Sequence, residues 1–237
     1  IHSLAMDRSF WDRVVPILAG EVDLLVYDCR GHGASDKPAG PYTVEQFADD
    51  LRDLMDAVGW KSATVAGASM GGCVSLAFAA GYPESTDGLG LLDTTAYYGD
   101  DAPEKWAGRA EKAKTEGMGA LVEFQKTRWF GEAFRAAHPD ILQNALDVFL
   151  ANDVAAYAET CRMLGAADKR DALSSLRMPV AIMVGEEDYA TPIAMAEAMK
   201  AEIPHASLQV IPGARHFTPL EVPEETCRLL LTLAKGS

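Results

Sequence analysis

A serine between small residues is the sharpest chemical feature of the chain. Gly67-Ala68-Ser69-Met70-Gly71 has the form G-x-S-x-G, with Ser69 at its centre. The apolar run 63–66 leads into it, and an apolar helical pattern leads out of it. A tight turn from strand to helix presents a serine hydroxyl as a nucleophile and tolerates only small flanking residues. The alternative is a glycine-rich turn with a solvated serine.

A serine nucleophile needs a general base, and the base needs a carboxylate that orients it. His216 stands in a loop between the last apolar run and the last helical pattern, so we expect it to be the base. Asp188 follows the preceding apolar run and is the expected acid. Asp93, Glu186 and Glu187 are the alternatives to it.

An oxyanion in such a reaction needs N–H donors that are already in place. One donor is expected to be the backbone N–H of Met70, directly after the serine. The other should come from a loop that follows an earlier strand. The segment His2-Ser3-Leu4 stands there, and we expect the N–H of Leu4 to be this donor.

Apolar runs of strand length alternate with helical patterns. Continuous apolar runs suit parallel strands that are covered on both faces. The predicted strands are 22–27, 63–66, 89–92, 180–184 and 208–211. The predicted helices between them cover 43–58, a segment after 191–192, and a segment from about 223. This alternation predicts a mostly parallel, doubly wound α/β sheet.

The alternation stops after Leu92. Only helical patterns follow, at about 103–114, 119–129, 140–150 and 154–166. A helical insertion in an α/β sheet usually covers the carboxyl ends of the strands, where ligands bind. We therefore predict a core of residues 1–93 and 178–237, with residues 94–177 inserted as a helical cap.

The composition of the chain excludes some classes of binding partner. The chain has 237 residues, 21 basic against 35 acidic, and a formal charge of −14. Such a charge repels nucleic acid and anionic lipid, so neither is expected as a partner. The segment 62–83 has no charged residue, but its glycines favour a buried strand and helix over a membrane span.

Four widely spaced cysteines and no apparent signal peptide predict a cytoplasmic protein with reduced thiols.

Cofactor motifs are missing from the chain. The loop 28–35 contains G-x-G, but Asp36 replaces the third glycine of a dinucleotide motif, so we interpret it as a structural turn. There is no G-K-[ST] phosphate loop and no H-E-x-x-H zinc motif. We expect neither a cofactor nor a metal.

Four blocks together resemble the α/β-hydrolase superfamily: GASMGG, YDCRGHGASDKP, GEEDYATP and PGARHFTPLEVPEE. The opening HSLAMDRSFWD and the segment KTRWF further resemble the 3-oxoadipate enol-lactonase-like branch. The serine nucleophile excludes the branches that use an aspartate, the haloalkane dehalogenases and epoxide hydrolases. The resemblance implies an α/β-hydrolase fold and a cofactor-free hydrolase that cleaves a small ester or lactone through Ser69, His216 and Asp188.

The resemblance leaves the substrate open. The favoured substrate is an enol-lactone acid of aromatic catabolism. A carbon–carbon hydrolase of ring-fission products and a ligand receptor with slow turnover are the alternatives, and a homo-oligomer is left open.

Two neighbouring residues of the predicted cap bear on the substrate. Arg128 and Trp129 are adjacent, so on a helix they point about 100° apart. In the functional interpretation Trp129 lines the pocket roof and Arg128 attracts a substrate carboxylate. In the alternative Trp129 packs inside the cap and Arg128 is solvated.

Overall fold

The fold is built on a parallel sheet, as predicted. The structure, a computed structural model, describes residues 1–236. Within these residues a four-stranded sheet has the order β1-β2-β3-β4, and every neighbouring pair is parallel. The strands are β1 (Ala63–Ala68), β2 (Thr86–Leu92), β3 (Val180–Gly185) and β4 (Ser207–Ile211).

Both faces of the central strands are covered, which is why their sequences are continuously apolar. Every residue of β3 is buried. Leu91 pairs with Ile182 in the register of β2 and β3, and Val184 pairs with Val210. Because all strands run in one direction, the residues that follow them gather at a single edge of the sheet.

Four helices outside the β2–β3 connection lie close to their predicted positions: α2 (Val44–Ala57), α3 (Met70–Gly81), α10 (Ile193–Glu202) and α12 (Pro223–Lys235). The sequence analysis missed two short helices, α1 (Val15–Leu18) and α11 (Thr218–Glu221). At the start of α2, Thr43 and Gln46 form the predicted capping box: Gln46 N–H donates to Thr43 Oγ1 at 3.2 Å, and Thr43 N–H donates to Gln46 Oε1 at 3.1 Å.

The predicted strand at 22–27 is wrong. This segment has no strand hydrogen bonds, and Leu24 and Val26 are 36% and 37% exposed. A groove of about 570 Å³ separates it from the edge of β1, with Val22, Leu25 and Ala63 in its walls. A strand requires a neighbour at hydrogen-bonding distance, and an apolar sequence does not supply one.

Between β2 and β3 the structure contains helices, as predicted for the cap. They are α4 (Ala102–Glu116), α5 (Val122–Trp129), α6 (Glu132–Ala137), α7 (Pro139–Leu150), α8 (Val154–Ala166) and α9 (Arg170–Leu173). The sequence analysis missed the short helices α6 and α9. Helices α4 and α8 lie against each other, and a Cβ on Gly165 would stand 3.1 Å from Pro103 Cα and Trp106 Cβ. The division into core and cap domains stays a prediction.

The loop that resembles a dinucleotide motif is a hydrogen-bonded turn. Asp28 accepts the N–H groups of Arg8 and Ala34, both at 2.8 Å. Arg30 pairs with Asp50 of α2 at 2.5 Å. These contacts fasten the loop to its surroundings, in agreement with the structural interpretation.

The four cysteines are buried and unpaired. Within residues 1–236, no helix combines the length and the apolar character needed to cross a membrane.

Candidate active site

Ser69 occupies a strained turn between β1 and α3. Its φ of 53° and ψ of −116° lie in a region that non-glycine residues rarely adopt. Ser69 N–H donates to Leu92 O at 2.9 Å, which ties the turn to the end of β2. A Cβ on Gly67 would stand 2.1 Å from Gly71 O, and one on Gly71 would stand 2.2 Å from Ile1 O. The small residues are therefore required by the close approach of three backbone segments.

The structure brings Ser69, His216 and Asp188 together. His216 Nε2 lies 2.9 Å from Ser69 Oγ, and His216 Nδ1 lies 2.8 Å from Asp188 Oδ2. All three residues are buried. Such an arrangement can move a proton from the serine hydroxyl to the imidazole while the carboxylate fixes the tautomer.

Asp188 is held by donors on both oxygens. Oδ1 accepts the N–H groups of Ala190 at 2.7 Å and Thr191 at 3.1 Å, and Oδ2 accepts Thr191 Oγ1 at 2.8 Å. Burial opposes ionisation of this carboxyl, but His216 and these donors outweigh burial and lower its pKa. Asp188 is thus suited to remain an anion beside the imidazole.

Asp93, the principal alternative acid, has other partners. It accepts the N–H of Gly185 at 3.2 Å and the N–H and Oγ1 of Thr218 at 2.9 and 2.7 Å. Burial and the nearby Asp188 raise its pKa well above the usual range. Its hydrogen bonds join the end of β2 to the end of β3 and to Thr218, two residues after His216.

The two glutamates that follow β3 point elsewhere. Glu186 is exposed and accepts the N–H of Gly213 at 3.0 Å. Glu187 is exposed and pairs with Arg215 at 3.3 Å.

The two expected oxyanion donors flank the serine turn. Met70 is the first residue of α3, where N–H groups have no acceptor within the helix and the helix dipole favours an anion. Leu4 is buried in the loop that begins at Ile1 and His2, and the carbonyls of those two residues contact Gly71. Among residues 1–236, neither N–H is used in a backbone hydrogen bond outside the helices and strands. The role of both groups stays a prediction.

A pocket of about 580 Å³ lies between the helical segment and the loop that carries Asp188. Tyr98, Arg109, Phe124, Arg128 and Tyr189 are among its walls. Cys73 Sγ donates to the Tyr98 hydroxyl at 3.8 Å, and Cys73 lies in the first turn of α3, four residues after Ser69. Tyr98 therefore joins the wall of this pocket to the first turn of α3, the helix that follows Ser69.

Two arginines give the pocket a positive wall. Arg128 lies over the Phe124 ring at 5.5 Å, and Arg109 lies over the same ring at 5.7 Å. Across residues 1–236 no ion pair or hydrogen bond satisfies the Arg128 guanidinium, whereas Arg109 Nε donates to Tyr157 Oη at 2.7 Å. Burial, together with the nearby Arg109, lowers the pKa of Arg128 to about 10, so it remains a cation at neutral pH.

Arg109 and Tyr98 were missed by the sequence analysis. For Arg109 a signal existed, because it stands one turn after Trp106 on the buried stripe of α4 with Ala113. A cation on the inward face of an amphipathic helix indicates an anion or a polar partner nearby.

The expectation that Trp129 lines the pocket roof is corrected. Trp129 is 2% exposed and is not among the walls of the pocket. Its ring stacks on Phe217 at 5.0 Å between centroids and 15° between planes, and Phe217 in turn stacks on His216. Successive residues of a helix diverge by about 100°, so the turn that sends Arg128 to the pocket sends Trp129 into the interior.

No cofactor or metal can be assigned to particular side chains. Within residues 1–236 there is no group of three or more His, Cys, Asp or Glu residues placed to hold a metal ion. The expected lack of a cofactor stays a prediction.

Comparison with known proteins agrees with this geometry. A family model described as alpha/beta hydrolase fold matches residues 1–223. The chain belongs to this family. It is an α/β-fold hydrolase, and the superfamily predicted from its motifs is confirmed.

Individual similar proteins indicate the branch of the α/β-hydrolase family to which the chain is related. The chain is 30% identical over 223 residues to 3-oxoadipate enol-lactonase 2 of Acinetobacter baylyi, covering 94% of this chain and 82% of that protein. It superposes with a TM-score of 0.94 on an enol-lactonase from Burkholderia xenovorans, at 33% identity over 99% of this chain and 89% of that one. A thermophilic esterase from Thermogutta terrifontis, with malate bound, gives a TM-score of 0.90 at 32% identity over 96% and 85% of the two chains. The resemblance to the enol-lactonase branch is therefore confirmed.

Proposed function

We propose that this α/β hydrolase cleaves a small carboxylic ester or lactone through an acyl-enzyme on Ser69. The observation that carries the proposal is the hydrogen-bonded chain from Ser69 Oγ through His216 to Asp188, with distances of 2.9 and 2.8 Å. Its setting in a strained turn at the carboxyl edge of a parallel sheet adds support. The similarity to enol-lactonases and to an esterase also supports this proposal.

In the proposed mechanism His216 removes the proton of Ser69 as the serine oxygen attacks the substrate carbonyl. Asp188 keeps the imidazole in the tautomer that accepts this proton and stabilises the imidazolium. The N–H groups of Met70 and Leu4 receive the oxyanion. His216 then protonates the leaving oxygen, and a water activated by the same imidazole hydrolyses the acyl-enzyme. No step requires a cofactor.

We further propose that the preferred substrate is a lactone that carries a carboxylate, of the 3-oxoadipate enol-lactone type. The main support is Arg128, a half-buried cation that faces the pocket and has no acceptor in the part of the chain that the structure describes; the net charge of the chain is −14. A carboxylate bound there would satisfy a guanidinium that is otherwise desolvated and unpaired. Arg109 adds a second positive charge beside it. The bound malate of the related esterase is an anion of the same chemical class.

The enzyme is proposed to work on free small molecules in the cytoplasm. Neither nucleic acid nor a membrane is proposed as its partner.

The test of the nucleophile is Ser69→Ala. Ester turnover should fall by roughly 10⁴- to 10⁶-fold, as it does when a member of such a triad is removed. Ser175→Ala is the matched control, because Ser175 is exposed and its hydroxyl donates to Ala172 O within a surface turn. Circular dichroism should be native for both variants. Turnover of Ser69→Ala within tenfold of the parent would show that another group is the nucleophile.

The substrate class is tested by a panel of carboxylated lactones, neutral aryl esters and ring-fission acids. The highest kcat/KM is expected for a carboxylated lactone, with sustained turnover. A preference for ring-fission acids would assign carbon–carbon hydrolysis instead. A single burst of product followed by slow turnover would favour a receptor.

A further inference from the structure

The loop that carries His216 is tied directly to one segment of the cap. We call residues 127–131, which form the end of α5 and its connection to α6, the cap hinge. The Arg215 guanidinium donates to Thr127 O at 2.6 Å, and Phe217 N–H donates to Trp129 O at 3.2 Å. The residues on both sides of His216 are thus hydrogen-bonded to the cap hinge.

Glu221 completes this connection with a single carboxylate. Its Oε2 accepts the N–H of Arg215 at 2.5 Å, and its Oε1 accepts the N–H of Gly131 at 2.9 Å. The side chain is half-buried, and burial raises its pKa. One oxygen therefore holds the His216 loop and the other holds the cap hinge.

Arg128 lies inside the cap hinge, between Thr127 and Trp129. Its guanidinium faces the pocket, while the carbonyls of its two neighbours accept hydrogen bonds from the His216 loop. If the backbone at Arg128 moves, these hydrogen bonds connect its movement to Arg215 and Phe217, the residues on either side of His216. The side chain that meets the substrate carboxylate and the imidazole that meets Ser69 belong to one hydrogen-bonded unit.

We propose that Glu221 is a positioning residue that couples the cap hinge to His216, so that a carboxylate bound at Arg128 helps to hold the imidazole in its aligned position during catalysis. The proposal rests on the proposed function of Arg128 and of the Ser69 site. Binding energy from the remote carboxylate is then used in the transition state, which raises kcat as well as lowering KM. Small displacements matter here, because proton transfer requires heavy atoms within about 2.6 to 3.2 Å.

The first test is Glu221→Gln, which keeps the size of the side chain and loses one of its two acceptor oxygens. One of the two backbone N–H groups then meets an amide NH₂ group. For a carboxylated lactone we expect kcat to fall about ten- to hundredfold, as small misplacements of catalytic groups do, with little change in KM. For a neutral aryl ester, which does not engage Arg128, kcat should change by less than about threefold.

Glu186→Gln is the matched control. Glu186 is exposed and accepts the N–H of Gly213, two residues before Arg215, at 3.0 Å. It makes the same kind of contact with the same loop but does not reach the cap hinge. Its kinetic constants should stay close to those of the parent for both substrates.

A second variant removes the other end of the link. Gly131 has φ of −62° and ψ of 159°, and Phe130 before it has φ of −133° and ψ of 144°. Both conformations are compatible with proline at position 131. Gly131→Pro deletes the N–H that Glu221 accepts. Gly131→Ala keeps that N–H, and its Cβ would stand 3.6 Å from the closest atom, Gly213 O.

If Glu221 couples the two segments, Gly131→Pro reproduces the selective loss of kcat and Gly131→Ala does not. The double variant Glu221→Gln/Gly131→Pro should be no worse than the more damaged single variant, since both break one link. Thermal unfolding identifies variants that fail to fold. If Glu221→Gln does not fold, the comparison of Gly131→Pro with Gly131→Ala tests the proposal.

Two results overturn the coupling. One is a parent-like kcat in Glu221→Gln with an unchanged preference for the carboxylated lactone. The other is an equal loss with charged and neutral substrates. A parent enzyme that shows no preference for the carboxylated substrate overturns the substrate class as well, and an active Ser69→Ala overturns the proposed nucleophile alone.

Discussion

The charge of Arg128 can be removed in Arg128→Gln, which keeps the Cβ and Cγ groups and a polar amide but loses the guanidinium. The guanidinium is half-buried, faces the pocket and has no acceptor within residues 1–236. A substrate carboxylate is expected to be its partner. The variant should therefore discriminate less between charged and neutral substrates.

The magnitude follows from the environment of the guanidinium. An exposed ion pair contributes at most about 1 kcal/mol, whereas removing one partner of a buried pair costs about 3 to 5 kcal/mol. Arg128 lies between these cases, and Arg109 stays nearby to attract the carboxylate in the variant. A loss of about 2 kcal/mol corresponds to a fall of roughly thirtyfold in kcat/KM for the carboxylated substrate.

The assay compares kcat/KM for a carboxylated lactone and for a neutral aryl ester, in parallel at low and high salt. The neutral ester should change by less than about threefold. Arg228→Gln, on the exposed face of α12, is the control for a loss of charge that lies away from the pocket. Equal losses with the two substrates would show that Arg128 supports the structure, and the carboxylated lactone would lose its main physical support.

Two further predictions concern buried titratable groups. Asp188→Asn should lower kcat by about 10⁴-fold, because the amide disturbs the imidazole tautomer, while Asp93→Asn should mainly lower stability; similar losses of kcat in the two variants would contradict these roles. Burial lowers the pKa of His32 from 6.5 to about 4. Above pH 6.5 the imidazole is neutral in both the folded and the unfolded protein. As the pH falls from 6.5 towards 4, the unfolded protein takes up the proton and the folded protein does not, so the free energy of unfolding decreases. Between pH 8 and pH 4.5 the free energy of unfolding should fall by roughly 2 to 3 kcal/mol less in His32→Gln than in the parent, measured by urea unfolding. An equal pH dependence in the two proteins would refute the lowered pKa of His32.

Features that depend on a short stretch of chain could be predicted from the sequence. The capping box of Thr43 and Gln46 is such a feature, because both of its hydrogen bonds close within one helical turn. The turn at Ser69 is another, since Gly67 is required by the local crossing of strand and helix, where its Cβ would meet Gly71 O. Asp188 and His216 could be predicted because parallel strands bring their following loops to one edge.

The predictions that failed concern segments whose structure depends on packing or pairing partners that are distant along the chain. The segment 22–27 has the composition of a strand, but strand pairing depends on a neighbour that its own sequence does not specify. The orientation of Trp129 depended on which of two faces of α5 met Phe217, nearly ninety residues later.

The sequence by itself determined the turn at Ser69, the positions of Asp188 and His216 after two later strands, and the alternation that builds a parallel sheet. Only the tertiary structure decided that Arg109 joins Arg128 beside Phe124 and that Glu221 links the His216 loop to Gly131. Local geometry follows from steric limits on a few neighbouring residues. Desolvation and hydrogen-bond partnership follow from which distant surfaces are packed together, and the chemistry of a buried charge depends on both.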